Sequence, residues 1–331
     1  ILNYNGLKWL KKFIPFFIKF SKKEADIYVI DNGSTDQSIE FLKKNHSEVF
    51  IVPLLKNLGF AGGYNEGLKK INSKYFILVN SDIEVTNSWI PPMIKILRNN
   101  TNIVAVQPKI LSFNNKNKFE HAGAAGGFID AFGFTFCKGR IFDNTEIDEG
   151  QYNQDKEIFW ASGACIALKA EEFKKIGGFD EDFFAHMEEV DLCWRFKNQG
   201  KNILFTSEST VFHVGGGTLN YNSPKKLFLN YRNNLWLIHK NYNSNYPLFT
   251  FIFIRIILDQ ISAFKFLLSG SLSSFLAVEK AHLNYFKAIG SLQKKREKLN
   301  KRHINSLSGY CNKSIIWNYF IKGKSKFSEI I

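Results

Sequence analysis

Residues 27–36 read IYVIDNGSTD: a short β-rich apolar run, a carboxylate, and a polar turn. Such a run bounded by turn residues reads as a buried strand, Ile27–Ile30, followed by a turn that Gly33 permits. Asp36 is placed to cap the next helix. The same grammar extends to both sides, with strands expected at Ile1–Asn3, Val49–Pro53, Tyr75–Val79 and Ile103–Gln107. Between them Leu7, Leu10, Ile14 and Phe17 recur at helical spacing, although Pro15 is expected to kink or shorten that helix. Strands alternating with helices predict an α/β chain with a parallel sheet and crossover helices. The strands end in NYNG, DNGSTD, KNLGFAGGYNEG and NSD. Ligands bind outside the carboxyl ends of such strands, so these four segments are expected to converge on one crevice.

Further along, residues 111–155 are rich in Gly, Asn and Phe without clear periodicity, and read as a long, partly irregular insertion over the crevice. Regular structure resumes at FWASGACIALKAEEF (159–173), a strand and a helix start, then GGFDEDFFAHMEEVDLCWRFKNQG (177–200), then a last strand before HVGGG (213–217). A chain of 331 residues accommodates about two domains, or one α/β domain with an appendage, here divided as 1–224 and 225–331. The four cysteines form no CxxC pair, which favours neither zinc nor a disulfide framework and points to a reducing compartment. The sequence opens on Ile1, inside an expected strand, so N-terminal residues are expected to be missing and any leader is unobservable.

Charge is unevenly placed. Residues 225–331 hold 18 of the 44 Lys and Arg but only 4 of the 30 Asp and Glu, and so carry the whole net charge of +14. Residues 246–278 are strongly apolar, yet Arg255, Asp259 and Lys265 interrupt them before any spanning length is reached. Helices lying in a membrane interface beside the basic QKKREKLNKR (293–302) fit this pattern, and so does a buried helical hairpin.

Several groups could carry chemistry. Asp31 at a strand end could accept from a nucleobase or sugar hydroxyl, or simply hold its own turn. NLGFAGGYNEG (57–67) matches neither GxGxxG nor GxxxxGK[ST], and its glycines let either a nucleotide or the sheet approach the backbone. ILVNSDIEV (77–85) ends on Asn80, Ser81 and Asp82, where one carboxylate can hold a hard cation whose other ligands are water and phosphate, or can cap the helix near Trp89. His213 could complete that site or be a packed imidazole. HMEEVDLCWR (186–195) crowds Glu188, Glu189 and Asp191. An ordinary ion-pair ladder with Arg195 is one reading; like charges that raise one pKa and create a base are the other.

Taken in order and spacing, DNGSTD, NLGFAGGYN, LVNSD, WASGACIALKAEEFKKIGGFDEDFFAHMEEVDLCWR and HVGGG resemble a family 2 glycosyltransferase of the branch containing bacterial rhamnosyltransferases, over about residues 1–240. The resemblance implies the GT-A fold: a mixed, mostly parallel central sheet flanked by helices, here with a C-terminal helical extension. It implies that Asp82 binds a divalent metal, Mg2+ or Mn2+, bridging the donor diphosphate, with His213 completing the shell. Asn80 replaces the usual first acid, which favours ribose contact. Asp31 would recognise the base, with Asn3 and Tyr4 framing the pocket and Asn57, Gly62 and Asn65 lining the donor site. Glu188 and Glu189 match the family's acid pair, whose second member is the general base, and Glu189 is one methylene longer than the usual Asp. The implied activity is inverting, metal-dependent transfer from a nucleoside-diphosphate sugar, dTDP-rhamnose or a UDP-sugar, to a glycan or lipid-linked acceptor in surface polysaccharide synthesis. The implied place is cytoplasmic, peripheral on the inner face of an anionic membrane. A dehydrogenase would need GxGxxG, and a nucleic-acid-binding protein would spread its basic residues, whereas residues 1–224 are neutral.

Overall fold

A computed structural model describes residues 1–215 and 223–331, so Gly216 and Gly217 of HVGGG lie outside the described residues. The first half alternates as expected: β1 (Leu2–Asn3), α1 (Leu7–Ser21), β2 (Tyr28–Asp31), α2 (Ser38–Asn45), β3 (Phe50–Pro53), α3 (Gly59–Leu68) and β4 (Tyr75–Val79). Strands β1, β2 and β3 pair in parallel, Leu2 opposite Ile30 and Tyr28 opposite Phe50. Leu2 also bridges in parallel to Asn80, which joins β1 to the tail of β4. Pro15 does not shorten α1, contrary to expectation. It sits on the exposed face, where water can take the Lys11 carbonyl that its missing N–H leaves free, while Leu10, Phe13, Ile14 and Phe17 stay buried.

After β5 (Ile83–Val85), α4 (Ile90–Asn99) and β6 (Ile103–Ser112), the insertion is more regular than expected. It carries a four-stranded antiparallel sheet of β7 (Gly127–Ile129), β8 (Thr135–Cys137), β9 (Arg140–Ile141) and β10 (Asn144–Thr145). Strands of two or three residues are too short to leave a periodicity. Then follow β11 (Lys156–Ile158), β12 (Cys165–Lys169), α5 (Ala170–Lys175), α6 (Glu188–Asn198) and β13 (Asn202–His213). Strand β12 enters antiparallel between β4 and β6, and β13 runs parallel to β6, so the sheet is mixed.

Neighbouring strand residues face opposite layers. Val29, Val79 and Val106 pack with α1 and α4, whereas Ile30, Leu78 and Ala105 pack with α3, α6 and the insertion. That second core continues into the C-terminal helices α7 (Pro224–Asn241), α8 (Leu248–Leu268) and α9 (Leu272–Glu297) through Leu237, Ile238, Ile252 and Tyr285. A short α10 (Phe327–Ile330) packs Phe327 on Phe128 and Phe136 of the insertion. Of the charges that interrupt the apolar run of α8, Arg255 and Asp259 face inward and Lys265 is exposed. Arg255 donates to Asp259 at 3.0 Å and lies over the Phe134 ring, while Phe249, Phe253, Ile261, Phe264 and Leu268 are exposed. Among the described residues, no helix is long and apolar enough to cross a membrane.

Candidate active site

The tails of β1 and β2 and the start of α3 are stitched together by amides. The buried Asn3 Nδ2 donates to Asp31 Oδ1 (2.9 Å) and Ser34 Oγ (3.1 Å), and Ser34 N donates to Asp31 Oδ2 (3.0 Å). Tyr4 beside them is exposed. Asp36 stands one residue before the cap of α2 and accepts from the first N–H of two helices, Ser38 N and Leu7 N, both at 3.0 Å. Asn57 Oδ1 accepts from Gly59 N (2.8 Å) and Asn32 Nδ2 (3.1 Å). Asn32, not singled out from the sequence, also donates to Gly59 O (2.8 Å) and accepts from Leu58 N (3.0 Å).

The glycines of α3 set close contacts within the protein. A Cβ at Gly67 would overlap the Ile30 side chain of β2, and one at Gly63 would meet the Asn32 amide. Gly62 is buried with Leu58 and Glu181 nearest. Asn65 reaches away from the strand ends, bonding Phe179 O, Phe179 N and Glu181 Oε1 at 2.9 Å each.

A second cluster forms where β4 ends and β13 ends. His213 Nε2 lies 3.2 Å from Asp82 Oδ1, and its Nδ1 lies 3.1 Å from Glu120 Oε2. Asn80 Nδ2 is 3.5 Å from the same Nε2. Burial alone would lower the imidazole pKa, but the Glu120 and Asp82 carboxylates reverse this and hold it at about 10. Burial likewise pulls Glu120 upward, and His213 overcomes it, leaving the carboxyl at about 2. Glu120 was missed from the sequence, since nothing in KFEHAG (118–123) marks it. Among the described residues, no group of three or more His, Cys, Asp or Glu forms a ready metal cage. With the imidazole pKa held at about 10, Nε2 carries a proton toward Asp82, so a cation bound by Asp82 and His213 would displace that proton and draw its remaining ligands from phosphate and water. Glu120 on the far ring nitrogen is the carboxylate partner that metal-bound histidines usually have.

The acid pair opens α6. Glu188 and Glu189 are its first two residues, and each leaves an Oε2 buried without a hydrogen-bond partner. Burial, then the charges of Glu189 and Asp191, push Glu188 well above the ordinary carboxyl range. Glu189 is also raised by burial, but backbone N–H groups, including those of Gly163 and Val190, oppose the shift. Both carboxyls are thus held above the ordinary range and titrate as a pair, with Glu188 the more buried and Glu189 the more accessible member. The turn Ser162–Ala164 joins the two clusters: Asn80 N donates to Ala164 O (3.0 Å), and a Cβ on Gly163 would stand 3.8 Å from Glu189 Cβ.

Asp191 and Arg195 are paired as expected, Nε to Oδ2 at 2.8 Å, but they are no surface ladder. Asp191 is fully buried and also accepts from Lys240 (2.7 Å) and Asn241 (2.9 Å) of α7, because α7 packs on α6. Arg195 further donates to Ile176 O and Gly178 O. The four cysteines are buried and unpaired. A cavity of about 420 Å³ lies at the amino ends of the strands, lined by Ile1, Tyr28, Tyr75 and Trp89, away from both clusters.

Residues 1–177 match the family model of Glycosyl transferase family 2. The chain is 24% identical to the low-salt glycan biosynthesis hexosyltransferase Agl10 of Haloferax volcanii over 183 residues, 54% of this chain and 55% of that protein. The match thus spans little more than half of that relative. It is 22% identical over 246 residues to the N-acetylglucosaminyl-diphospho-decaprenol L-rhamnosyltransferase of Mycobacterium tuberculosis, 64% of this chain and 74% of the relative. Among solved structures it is similar in fold to GalNAc-T7 with UDP, GalNAc and Mn2+, with a TM-score of 0.56 and 16% identity over 73% of this chain and 47% of that one.

Proposed function

The chain belongs to glycosyl transferase family 2 and has the GT-A fold, and from that premise we propose that it transfers a sugar from a nucleoside diphosphate to a hydroxyl with inversion. The observation that supports this most is the juxtaposition, across the Ser162–Ala164 turn, of an acid pair having unpartnered oxygens with the Asn80–Asp82 strand end. Glu189 is the base: the more accessible of two carboxyls raised by burial, it takes the acceptor proton as the oxygen attacks, with the buried Glu188 beside it. Asp31, held by the buried Asn3 and with Tyr4 exposed beside it, would accept from the base of the donor, and Asn57 shapes the loop at the start of α3, whereas Gly62 and Asn65 support that helix from the side of Glu181. Asp82 and His213 would hold Mg2+ or Mn2+, Glu120 orienting His213. That ion, when bound, supplies positive charge to the departing diphosphate. One relative is named for glycan biosynthesis and another for an N-acetylglucosaminyl-diphospho-decaprenol, which supports a glycan or lipid-linked acceptor.

Residues 225–331 serve as the extension that meets the acceptor's surface. The outward apolar residues of α8 and α9, with the net charge of +14, suit an anionic membrane interface. Thermal stabilisation by a panel of nucleotide sugars, with and without Mn2+, identifies the donor. With that donor, Glu189→Gln should bind normally and lose ~10² to 10⁴ in turnover. If Glu188→Gln is the inactive variant and Glu189→Gln is active, the base assignment fails; if neither loses turnover, the mechanism fails.

A further inference from the structure

We propose that Asn233 of α7 is a positioning residue that holds the loop presenting Glu188 and Glu189. The loop needs holding. Phe184, His186 and Met187, none of them glycine, all have left-handed backbones with φ of 63°, 70° and 70°. Such a conformation persists only where surrounding bonds over-determine it. Each carbonyl from Asp182 to His186 accepts from outside the loop. Asn233 Nδ2 donates to Phe183 O (3.0 Å), Ala185 O (2.9 Å) and His186 O (2.7 Å). Arg232 Nη2 reaches Asp182 O (3.3 Å) and Phe183 O (3.0 Å), and Phe60 N takes Phe184 O (2.7 Å). The amide cannot turn over, because Arg232 Nε donates to Asn233 Oδ1 at 2.8 Å and so fixes the nitrogen on the loop side. From the other side, Gly59 has φ 73° and any Cβ there would overlap Phe184 O, so the start of α3 closes directly on the same loop.

A fully buried side chain 44 residues beyond Glu189 thus sets the backbone from which both acids project, through hydrogen bonds to main-chain carbonyls. The catalytic consequence rests on the glycosyl-transfer reading; the structural part does not. The test uses the full chain with Asn233→Leu, and with Asn234→Leu as control. Asn234 is an adjacent buried amide that donates instead to Gly133 O in the insertion, at 3.1 Å. In hydrogen–deuterium exchange, Asn233→Leu should lose protection over residues 184–190 and Asn234→Leu should keep it. In transfer assays Asn233→Leu should lose roughly 10² in kcat with donor KM within about twofold, the cost of misplacing a reacting group by about 1 Å. If Asn233→Leu does not fold, Asn233→Ser, which keeps one donor, carries the same comparison. Unchanged protection at 184–190, an equal kcat loss in Asn234→Leu, or a loss confined to KM would overturn the proposal. Absence of transfer in the parent protein would instead count against the function, and the exchange result alone would then decide whether Asn233 holds the loop.

Discussion

Lys240→Met is the perturbation that most directly tests how the C-terminal helices are tied to the catalytic half. Lys240 is buried and bridges two carboxylates, Asp180 Oδ2 at 2.5 Å and Asp191 Oδ1 at 2.7 Å. Methionine keeps most of the volume and removes the charge, leaving Asp191 with Arg195 and Asn241, and Asp180 with Lys295. Breaking a buried pair by removing one partner costs about 3–5 kcal/mol. Because the remaining partners still compensate each acid, the lower end, about 3 kcal/mol, is expected. With an unfolding entropy of about 2.1 cal/mol/K per residue, a 331-residue chain shifts by about 1.4 °C per kcal/mol, so the melting temperature should fall by about 4 °C. The pH dependence follows from Asp191: burial would raise its carboxyl, but Lys240 and Arg195 hold it well below the ordinary range. Its stabilisation is therefore full above about pH 4, the unfolded value, and is lost as pH falls further toward the folded pKa. Thermal melts of parent and variant at pH 7, 5 and 3 should show a constant gap at the first two and a narrower one at pH 3. As a control, Lys69→Met removes an exposed, solvent-screened pair with Glu66 and should leave the melt almost unmoved. A Lys240→Met shift no larger than that of Lys69→Met would refute the buried-network argument.

Other outcomes follow from single contacts. Gly67→Ala should destabilise by about 1–2 kcal/mol, because overpacking against Ile30 outweighs the gain in helix propensity; urea unfolding reads it. Glu188→Gln should raise the melting temperature at pH 7.5 but not at pH 4. The buried carboxyl keeps a proton that the unfolded chain releases, so stability falls as pH rises above about 4.3, a loss that the amide escapes. Glu120→Gln should weaken Mn2+ binding in the presence of nucleoside diphosphate by about 10- to 100-fold in calorimetric titration, since it removes the charge behind His213. Phe253→Asp with Phe264→Asp should reduce sedimentation with anionic vesicles while leaving the melting temperature nearly unchanged, both side chains being exposed.

The strands and the residues at their ends were legible in the sequence because both signals are local. An apolar run of four or five residues followed by Asn, Asp or Gly declares where a strand stops, and β2, β3 and β4 fall within one residue of the expected spans. The acid pair, Asp82 and His213 stood out for the same reason. What brings them together is not local. The antiparallel entry of β12 between β4 and β6 carries the Ser162–Ala164 turn to Asn80, and no pattern within either segment encodes that pairing. Glu120 becomes a partner of His213 only because the insertion folds back over β6, and Asp191 meets Lys240 only because α7 packs on α6. A charged residue has the same letter whether water or a carboxylate surrounds it. The sequence by itself determined which elements form and which chemical groups are present; the tertiary structure decided their protonation, their partners and the strain they sit on, because burial and charge at a few ångströms depend on segments far apart in the chain.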